Sequence, residues 1–333
     1  MTTISRARAS CAGWRSPAAL ASAAGIGLGY AADVALGDPR RFHPVAGFGR
    51  LALAAERWCY ADARPPGVAY TAVLVGGSVG LGLALEHLTA SRPSARILVT
   101  AAATWAVLGG RSLQREADAI SAQLADGDLE AARRQIRNLV GRDPSRLDAA
   151  EIARACVESL AENTSDAVIA PLLWGAVAGV PGLLGYRAAN TLDAMVGHRS
   201  PRYLRFGWGA ARLDDVANLV PARVAGALAV ASAGLVGGSV REAGRTVRQD
   251  AGRHPSPNAG VVEAAFAGAL GVRLGGVNVY AGEVEDRGTL GRGRAVEVPD
   301  IQRAARLARR ISLLSAVLAV AVRVSRVRPI GRR

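Results

Sequence analysis

A stripe of carboxylates with helical spacing stands directly before one of the apolar segments of the chain. Glu158, Glu162 and Asp166 follow each other at intervals of four residues, so a helix would place all three on one face. Like charges at this spacing repel, and a helix keeps them because water bathes them or because a cation or basic ligand neutralises them. A solvated helix face and a site at a membrane boundary are the two interpretations, and the adjacent apolar run favours the site.

A second polar set has the pattern D-D-x-x-N. Asp214, Asp215 and Asn218 form it, and a helix would place Asp214 and Asn218 on one face. Oxygen ligands in this arrangement suit Mg²⁺ that carries phosphate oxygens. A simple capping or ion-pair role explains the same residues. Arg212 and Arg223 flank the set and can pair either with the acids or with a phosphate.

A third polar segment, His254–Glu263, contains two prolines and leads into a helix of small residues. His254 suits proton transfer or contact with a phosphate, and Ser256 or Asn258 suits the cap of the helix. A plain loop with a helix cap would explain this segment equally well. The polar segment 33–44, with its Gly-Asp-Pro and His-Pro sequences, forms one more cluster just past an apolar run.

Every one of the 41 basic residues is an arginine, and the formal net charge is +14. A P-loop needs a lysine, so the chain must hold any phosphate with arginine, with backbone amides or with a metal. The arginines are spread along the chain and alternate with acids, so we expect no nucleic-acid partner.

The composition favours a membrane protein. Hydrophobic residues make up 50% of the 333 residues, charged residues make up 20%, and the mean hydropathy is +0.18. A spanning helix needs about 20 apolar residues, although a short run can also be a buried helix of a soluble core. We predict four to six hydrophobic segments from the charge-free runs, which are Ser16–Ala32, Pro65–Leu85, Ile97–Gly110, Ala167–Tyr186, Val224–Val240 and Ile311–Val322.

The predicted fold class is all-α, a polytopic helical membrane protein with a water-exposed helical hairpin and long polar loops. Residues 1–110 are predicted to hold N-terminal membrane helices with a polar loop at 33–64. Residues 111–164 have helical spacing with polar faces and are predicted to form the water-exposed segment. Residues 165–333 are predicted to hold further membrane helices, the polar motifs and a long loop at 241–310, in which Val277–Tyr280 has the composition of a strand.

The apolar run Ala167–Tyr186 is predicted to be kinked or re-entrant. If every run crossed the membrane, the carboxylate stripe and Asp214–Asn218 would lie on opposite sides, and one site could not contain both. The run contains Pro171, Pro181 and four glycines, and broken helices are tolerated at membrane depth where they line a polar cavity. We expect this segment to bring together Glu162, Asp166, Asn190, Asp193, Asp214 and His254.

Several of these motifs, taken together, resemble the cobalamin-biosynthesis membrane proteins called CbiB or CobD. The segments are Glu158–Asp166, Asn190–Gly197, Phe206–Arg223 and His254–Gly276, with the Gly-Asp-Pro and His-Pro sequences near the N-terminus. The order of the motifs is the same, and the resemblance covers roughly residues 25–325.

The resemblance implies an enzyme of the cell membrane, a multi-pass ligase that forms an amide bond. Its substrates would be cobyric acid, through the free propionate carboxylate, and aminopropanol or its O-phosphate, with ATP and Mg²⁺ required. The carboxylate must first be activated, and an acyl phosphate is the simplest activated form. The implied partners are the corrinoid, the amine, membrane lipid and other enzymes of the corrinoid pathway in a complex.

This chemistry divides the candidate residues into three groups. The catalytic candidates are Glu158, Glu162, Asp166, Asn190, Asp193 and His254. The cofactor-binding candidates are Arg187, Arg212, Arg223, Ser256 and Asn258, and the metal candidates are Asp214, Asp215 and Asn218. A polytopic transporter and a non-enzymatic membrane scaffold of the corrinoid pathway are the alternative functions.

Overall fold

The computed structural model describes residues 17–38, 43–141, 143–280 and 283–325. These residues form twelve α-helices and one antiparallel pair of strands. The helices are α1 (Pro17–Leu36), α2 (Pro44–Cys59), α3 (Arg64–Leu88), α4 (Pro93–Val107), α5 (Gly110–Ala125), α6 (Leu129–Ile136), α7 (Ala149–Thr164), α8 (Ala170–Leu192), α9 (Trp208–Ala231), α10 (Val240–Asp250), α11 (Ala259–Leu270) and α12 (Val298–Ser325). The strands are β1 (Leu274–Tyr280) and β2 (Glu283–Leu290), and π-helical turns continue α7 and α8 over Ser165–Ile169 and Asp193–Gly197.

The helical content confirms the predicted all-α class, and three described stretches are long and apolar enough to span a membrane. They are Pro17–Leu36, Arg64–Leu88 and Ala149–Gly197. This is fewer than the four to six segments predicted. One apolar run, Ile311–Val322, is short and lies between Arg310 and Arg323 of α12, and two others do not form long helices. Helix α4 has only 15 residues, and the run Val224–Val240 is interrupted after Ala231 by a short 3₁₀ turn.

Helices α1 and α4 pack closely through small residues. A methyl group added at Gly25 would lie 2.5 Å from Cβ of Thr100, and one at Gly29 would lie 2.5 Å from Cβ of Thr104. Small residues at four-residue spacing allow this close approach of helices in membranes. Large apolar side chains on α1, α3 and α4 point outward instead, including Leu28, Val73 and Leu98, and these form the surface that hydrocarbon would contact.

Helix α8 reverses direction at Gly179, whose φ of 69° and ψ of −146° lie outside the helical region. Its two arms, residues 170–178 and 180–192, pack against each other. A methyl group added at Gly182 would lie 2.2 Å from the carbonyl oxygen of Trp174. These two residues would be about 12 Å apart along an uninterrupted helix. The predicted break in this apolar run is therefore confirmed, and the run forms a helical hairpin.

Helix α3 holds the tip of this hairpin. Oε1 of Glu86 accepts the backbone N–H of Val180 at 3.1 Å and so satisfies a donor at the start of the second arm. Two arginines, Arg96 and Arg323, place guanidinium nitrogens 3.7 Å and 3.9 Å from the same carboxylate. The carboxylate of Glu86, at the tip of the hairpin, is thus neutralised by one arginine from α4 and one from α12.

The largest hydrophobic core belongs to a second part of the molecule, here called the core module. It consists of α5, α6, α7, α10, α11 and the adjoining halves of α9 and α12. Its fully buried side chains include Ile120, Ile136, Leu160, Phe266 and Ile301. Charged side chains cover its outer helices α6 and α10, as expected for a surface that faces water.

Two segments predicted as loops are helical, so those two predictions are wrong. The predicted polar loop 33–64 contains α2, and the predicted long loop 241–310 contains α10, α11, both strands and the start of α12. Helix α11 consists mainly of alanine, glycine and valine and is buried along its whole length. Such a helix has no polar face, so its sequence lacks the periodic pattern that identifies a surface helix.

Candidate active site

Four carboxylates from three helical segments meet at the open end of the α8 hairpin. Asp166 lies in the turn before the first arm, Asp193 follows the second arm, and Asp214 lies in the first half of α9. Their charges act on one another, and Glu162 at the end of α7 acts on all three. The hairpin therefore assembles the group that the sequence predicted, apart from His254.

Within the carboxylate cluster, Asp214 has hydrogen bonds to both of its carboxylate oxygens. Nδ2 of Asn190 lies 3.3 Å from one of its oxygens, and Nδ2 of Asn218 lies 2.9 Å from the other. The hydroxyl of Tyr186 donates to Oδ1 of Asn218 at 2.9 Å, which fixes the amide so that its N–H groups face Asp214. A tyrosine and two amides thus fix the orientation of one carboxylate.

Burial raises the pKa of Asp214 to about 6. The hydrogen bonds from Asn190 and Asn218 oppose this shift because they favour the ionised form. The charges of Asp215 and Glu162 add to it because like charges disfavour a second ionisation. A carboxylate in these surroundings gains from a nearby cation, whether that is a metal ion or an ammonium group.

The three predicted metal ligands do not all point to one spot. Asp215 lies 3.4 Å from Nη1 of Arg212, and the oxygen of Asn218 is taken by Tyr186. Within the described ranges no group of three or more His, Cys, Asp or Glu side chains is arranged to hold a metal ion. Binding of a metal by Asp214, Asp215 and Asn218 therefore stays a prediction.

Arg187 supplies positive charge to the cluster. Its Nη1 lies 3.3 Å from Oδ1 of Asn190, and its charge interacts with Asp166 and Asp38. Asp38 lies 3.8 Å from Nε2 of His43, and one of its oxygens is buried without a hydrogen bond. The Gly-Asp turn near the N-terminus thus lies on the same side of the hairpin as the carboxylate cluster.

Glu158 faces another part of the molecule, although it shares the helical stripe. Its Oε1 accepts a hydrogen bond from Arg154 at 3.0 Å and one from the backbone N–H of Gly275 at 2.8 Å. Its contacts fasten the start of β1 to α7. The structure places Glu158 at this junction, which gives it a structural contact and leaves its predicted catalytic role without geometric support.

His254 is buried and, among the residues that the structure describes, forms no hydrogen bond or ion pair with the carboxylate cluster. Its Nδ1 accepts the backbone N–H of Ser256 at 3.0 Å, which leaves the proton of the neutral ring on Nε2. Nε2 lies 3.6 Å from Glu263, and both side chains are fully buried. Burial, with the nearby charge of Arg287, lowers the pKa of His254 to about 4. A proton-transfer role for His254 stays a prediction.

Ser256 and Asn258 have different functions in the same loop. Oγ of Ser256 accepts the backbone N–H of Ala259 at 3.2 Å and so satisfies the first backbone donor of α11, whose N-cap residue is Asn258. Asn258 instead links the loop to α9. Its Oδ1 accepts a hydrogen bond from Arg223 at 2.8 Å, and its Nδ2 donates to the backbone carbonyl of Asp215 at 2.8 Å.

Sequence reasoning left two residues of this neighbourhood out of the site. The sequence does indicate a site residue at Asp38, since it stands in a Gly-Asp-Pro segment just past an apolar run. Nothing in the sequence indicates a site residue at Tyr186, because a tyrosine at the end of an apolar run is also common at an ordinary membrane interface. Its role becomes visible only when the hairpin brings its hydroxyl to Asn218 and Asp166.

The fold and this geometry define an all-α protein of the membrane type, with a carboxylate cluster at the open end of an apolar helical hairpin. The chain belongs to the CobD/CbiB family, since the family model described as "CobD/Cbib protein" matches residues 26–308. No solved structure matches the chain significantly.

Relatives named "Cobalamin biosynthesis protein CobD" support the same assignment. The protein of Mycobacterium tuberculosis strain H37Rv is 55% identical over 298 residues, which cover 90% of this chain and 95% of the relative. The protein of Geobacter metallireducens is 44% identical, covering 78% of this chain and 83% of the relative. That of Chromobacterium violaceum is 43% identical, covering 88% and 94%. The chain is therefore similar to cobalamin-biosynthesis proteins over nearly its whole length.

Proposed function

We propose that this protein converts adenosylcobyric acid to adenosylcobinamide or its phosphate by ATP-dependent amide ligation. The free propionate carboxylate of the corrinoid would be joined to aminopropanol or to its O-phosphate. The observation that supports this most is the carboxylate cluster around Asp214, with Arg187 beside it, in a chain of the CobD/CbiB family. Carboxylates that lie next to an apolar membrane segment commonly have a chemical function.

The proposed reaction has two steps. A carboxylate oxygen of the corrinoid attacks the γ-phosphorus of ATP, so an acyl phosphate forms and ADP leaves. The amine nitrogen then attacks the acyl carbon, and inorganic phosphate leaves as the amide forms. Starting from carboxylate, ammonium and ATP, the products are amide, ADP, hydrogen phosphate and one proton. The enzyme must therefore neutralise phosphate charge and remove protons from the ammonium group.

The residues at the cluster fit a Mg²⁺ ion that carries phosphate. Their donors are carboxylate oxygens, and Mg²⁺ commonly uses only one or two protein carboxylates together with phosphate and water. Asp214 and Asp215 would hold the ion. When bound, Mg²⁺ supplies positive charge that neutralises phosphate oxygens. Arg187 and Arg212 would do the same from the protein, since arginine pairs well with phosphate.

The carboxylates also suit the amine. An alkylamine is an ammonium ion at neutral pH, and a group of carboxylates attracts it. The carboxylate of Asp193 has neither a hydrogen-bond nor an ion-pair partner among the described side chains, so we assign to it the acceptance of the ammonium proton. Holding both reactants at one site raises their effective concentration.

We also propose that the protein is a multi-pass protein of the cell membrane. The three apolar stretches support this location, and a corrinoid-pathway complex at the membrane would pass intermediates on. Release of the protein from membranes by carbonate or high salt, without detergent, would contradict the location.

Purified protein tests the reaction directly. With cobyric acid that carries ¹⁸O in its free carboxylate, an acyl phosphate route transfers one ¹⁸O atom to inorganic phosphate. ADP should form only when corrinoid, amine and ATP are all present. A transporter would instead move corrinoid into vesicles without covalent change, and a scaffold would do neither, so either result would replace the proposal.

A further inference from the structure

Residues 198–207, here called the linking segment, join the two helical segments that carry Asp193 and Asp214. The linking segment follows the π-helical turn that begins at Asp193, and it ends directly before α9. Asp214 lies in the second turn of α9. The position of the linking segment therefore helps to set the distance between these two carboxylates.

A buried carboxylate on α2 holds the linking segment in place. Glu56 is only 4% exposed. Its Oε1 accepts hydrogen bonds from Nη2 of Arg202 at 2.9 Å, from Nε of Arg202 at 3.3 Å and from the hydroxyl of Tyr203 at 2.9 Å. Hydrogen bonds depend on both distance and angle, and those to a charged acceptor are the stronger ones. Three of them at one oxygen therefore hold this segment more narrowly than apolar contacts alone would.

The tyrosine that follows α2 also contacts the linking segment. The guanidinium of Arg202 lies 4.0 Å from the centre of the Tyr60 ring, a cation–π contact. The hydroxyl of Tyr60 donates to the backbone carbonyl of Arg202 at 2.9 Å. Arg202 is thus held by its side chain at Glu56 and by its backbone at Tyr60.

A small apolar cluster connects this anchored segment to the site. Its buried members come from α2, α3, the end of α8, the linking segment and the start of α9, and they are Ala52, Tyr70, Leu192, Val196, Phe206 and Ala210. Leu192 directly precedes Asp193. Ala210 lies about one helical turn before Asp214. Close-packed interiors transmit displacements, so a shift of the linking segment would move both carboxylates.

We propose that Glu56 is a positioning residue of the ligation site. It acts through Arg202 and the linking segment and keeps Asp193 and Asp214 at the separation that the reaction needs. The inference rests on the proposed function, in which Asp214 holds the metal ion and Asp193 accepts the ammonium proton.

The position of Glu56 predicts which kinetic constant it controls. Among the described residues, Glu56 forms no hydrogen bond or ion pair with the carboxylate cluster. Its loss should therefore leave the groups that bind substrate in place and change their alignment. A misplacement of about 1 Å can lower a rate about hundredfold, so the effect should appear in kcat and not in KM.

Steady-state kinetics of amide formation, with each substrate varied in turn, test this. Glu56→Ala removes the acceptor of all three hydrogen bonds and should lower kcat at least about tenfold, with KM for ATP and for cobyric acid within about twofold. Glu56→Gln keeps an oxygen acceptor and should stay within about threefold of the wild-type kcat. Arg202→Ala should resemble Glu56→Ala, and the double variant should lose no more than either single one, because both remove the same anchor.

Asp62→Ala is the matched control. Asp62 lies 3.9 Å from Arg205 of the same linking segment, but both of these side chains are exposed. This variant should keep the wild-type kcat, since exposed pairs contribute little. Thermal unfolding in detergent gives the folded fraction of each variant, so that kcat is expressed per folded molecule. Tyr203→Phe removes only one of the three bonds and should lower kcat about threefold, which keeps the test open if Glu56→Ala does not fold.

Three results would overturn the positioning role and spare the proposed function. They are a wild-type kcat per folded molecule in Glu56→Ala or, where that variant does not fold, in Tyr203→Phe, a loss that appears in KM alone, and losses that multiply in the double variant with Arg202→Ala. Wild-type protein that forms no amide would overturn the proposed function and this inference with it.

Discussion

The hydroxyl of Tyr186 lies 3.1 Å from the backbone carbonyl of Asp166, although 20 residues separate them. Along a straight helix they would be about 30 Å apart, the thickness of the hydrocarbon core. Their contact means that the apolar segment between them reverses direction, so that both of its ends lie at the open end of the hairpin. Asp166 and Asp193 therefore lie on the same side, within reach of Asp214 on the next helix.

Gly179→Ala tests whether the hairpin positions the site. Alanine would be strained at a φ of 69°, and its methyl carbon would lie 2.2 Å from Oε1 of Glu86. We expect a loss of about 1–3 kcal/mol of stability and a lower rate of ligation, measured by thermal unfolding in detergent and by product formation. Gly77→Ala is the control, because a methyl group there meets no atom within 4 Å. Equal behaviour of the two variants would contradict the role of the turn.

Asp214→Asn should reduce ligation at least about hundredfold, because it removes the charge that two amides hold in place. The variant should still insert into membranes, since an amide has nearly the same shape as a carboxylate. Asp126→Asn, at an exposed position after α5, is the control and should keep full activity. Near-normal turnover by the Asp214 variant in a product assay would refute the assignment.

The stability of the core module should fall in acid because of His254. The unfolded chain takes up a proton near pH 6.5, whereas the folded one does so only at about 4, owing to burial and Arg287. Since the folded pKa is the lower one, stability is present above about pH 6.5 and is lost as the pH falls toward about 4. The expected loss is about 2 kcal/mol by about pH 5.

Thermal unfolding at several pH values measures this effect. His254→Asn keeps an acceptor for the backbone N–H of Ser256 but cannot be protonated, so its melting temperature should depend less on pH. The groups that face the ring are Glu263 of α11 and Arg287 of β2. The same acid loss in the wild type and in the variant would show that another group is responsible.

Asp300→Asn should destabilise the core module by about 3 kcal/mol, because it removes the charge of a buried carboxylate to which two arginines bind. Asp300 is fully buried and lies 2.6 Å from Arg294 and 2.7 Å from Arg303. Glu297→Gln is the comparison, since Glu297 is exposed and 3.7 Å from Arg294. Exposed pairs contribute less than about 1 kcal/mol. An equal drop in melting temperature in the two variants would contradict this expectation.

The break in the apolar run Ala167–Tyr186 could be predicted because Pro181 and several glycines interrupt it between two sets of acids. The contacts that individual side chains make across the fold could not be predicted. Helical spacing places Glu158 and Glu162 on one face, yet contacts made across the fold direct Glu158 to Gly275. The same limit applies to His254, whose enclosure depends on Glu263 and on a strand far along the chain.

The structured region 241–310 could not be predicted for a different reason. Helix α11 consists of small apolar residues and lies entirely inside the core module, so it shows no amphipathic period.

Mass spectrometry of the corrinoid products is the most direct test of the central claim. Purified protein in detergent would be incubated with cobyric acid, ATP and Mg²⁺, together with either aminopropanol or its O-phosphate. We expect a new corrinoid whose mass equals cobyric acid plus the amine minus one water, formed only with ATP and absent in the Asp214→Asn variant. Unchanged cobyric acid in every reaction, from protein that is folded and binds the corrinoid, would contradict it.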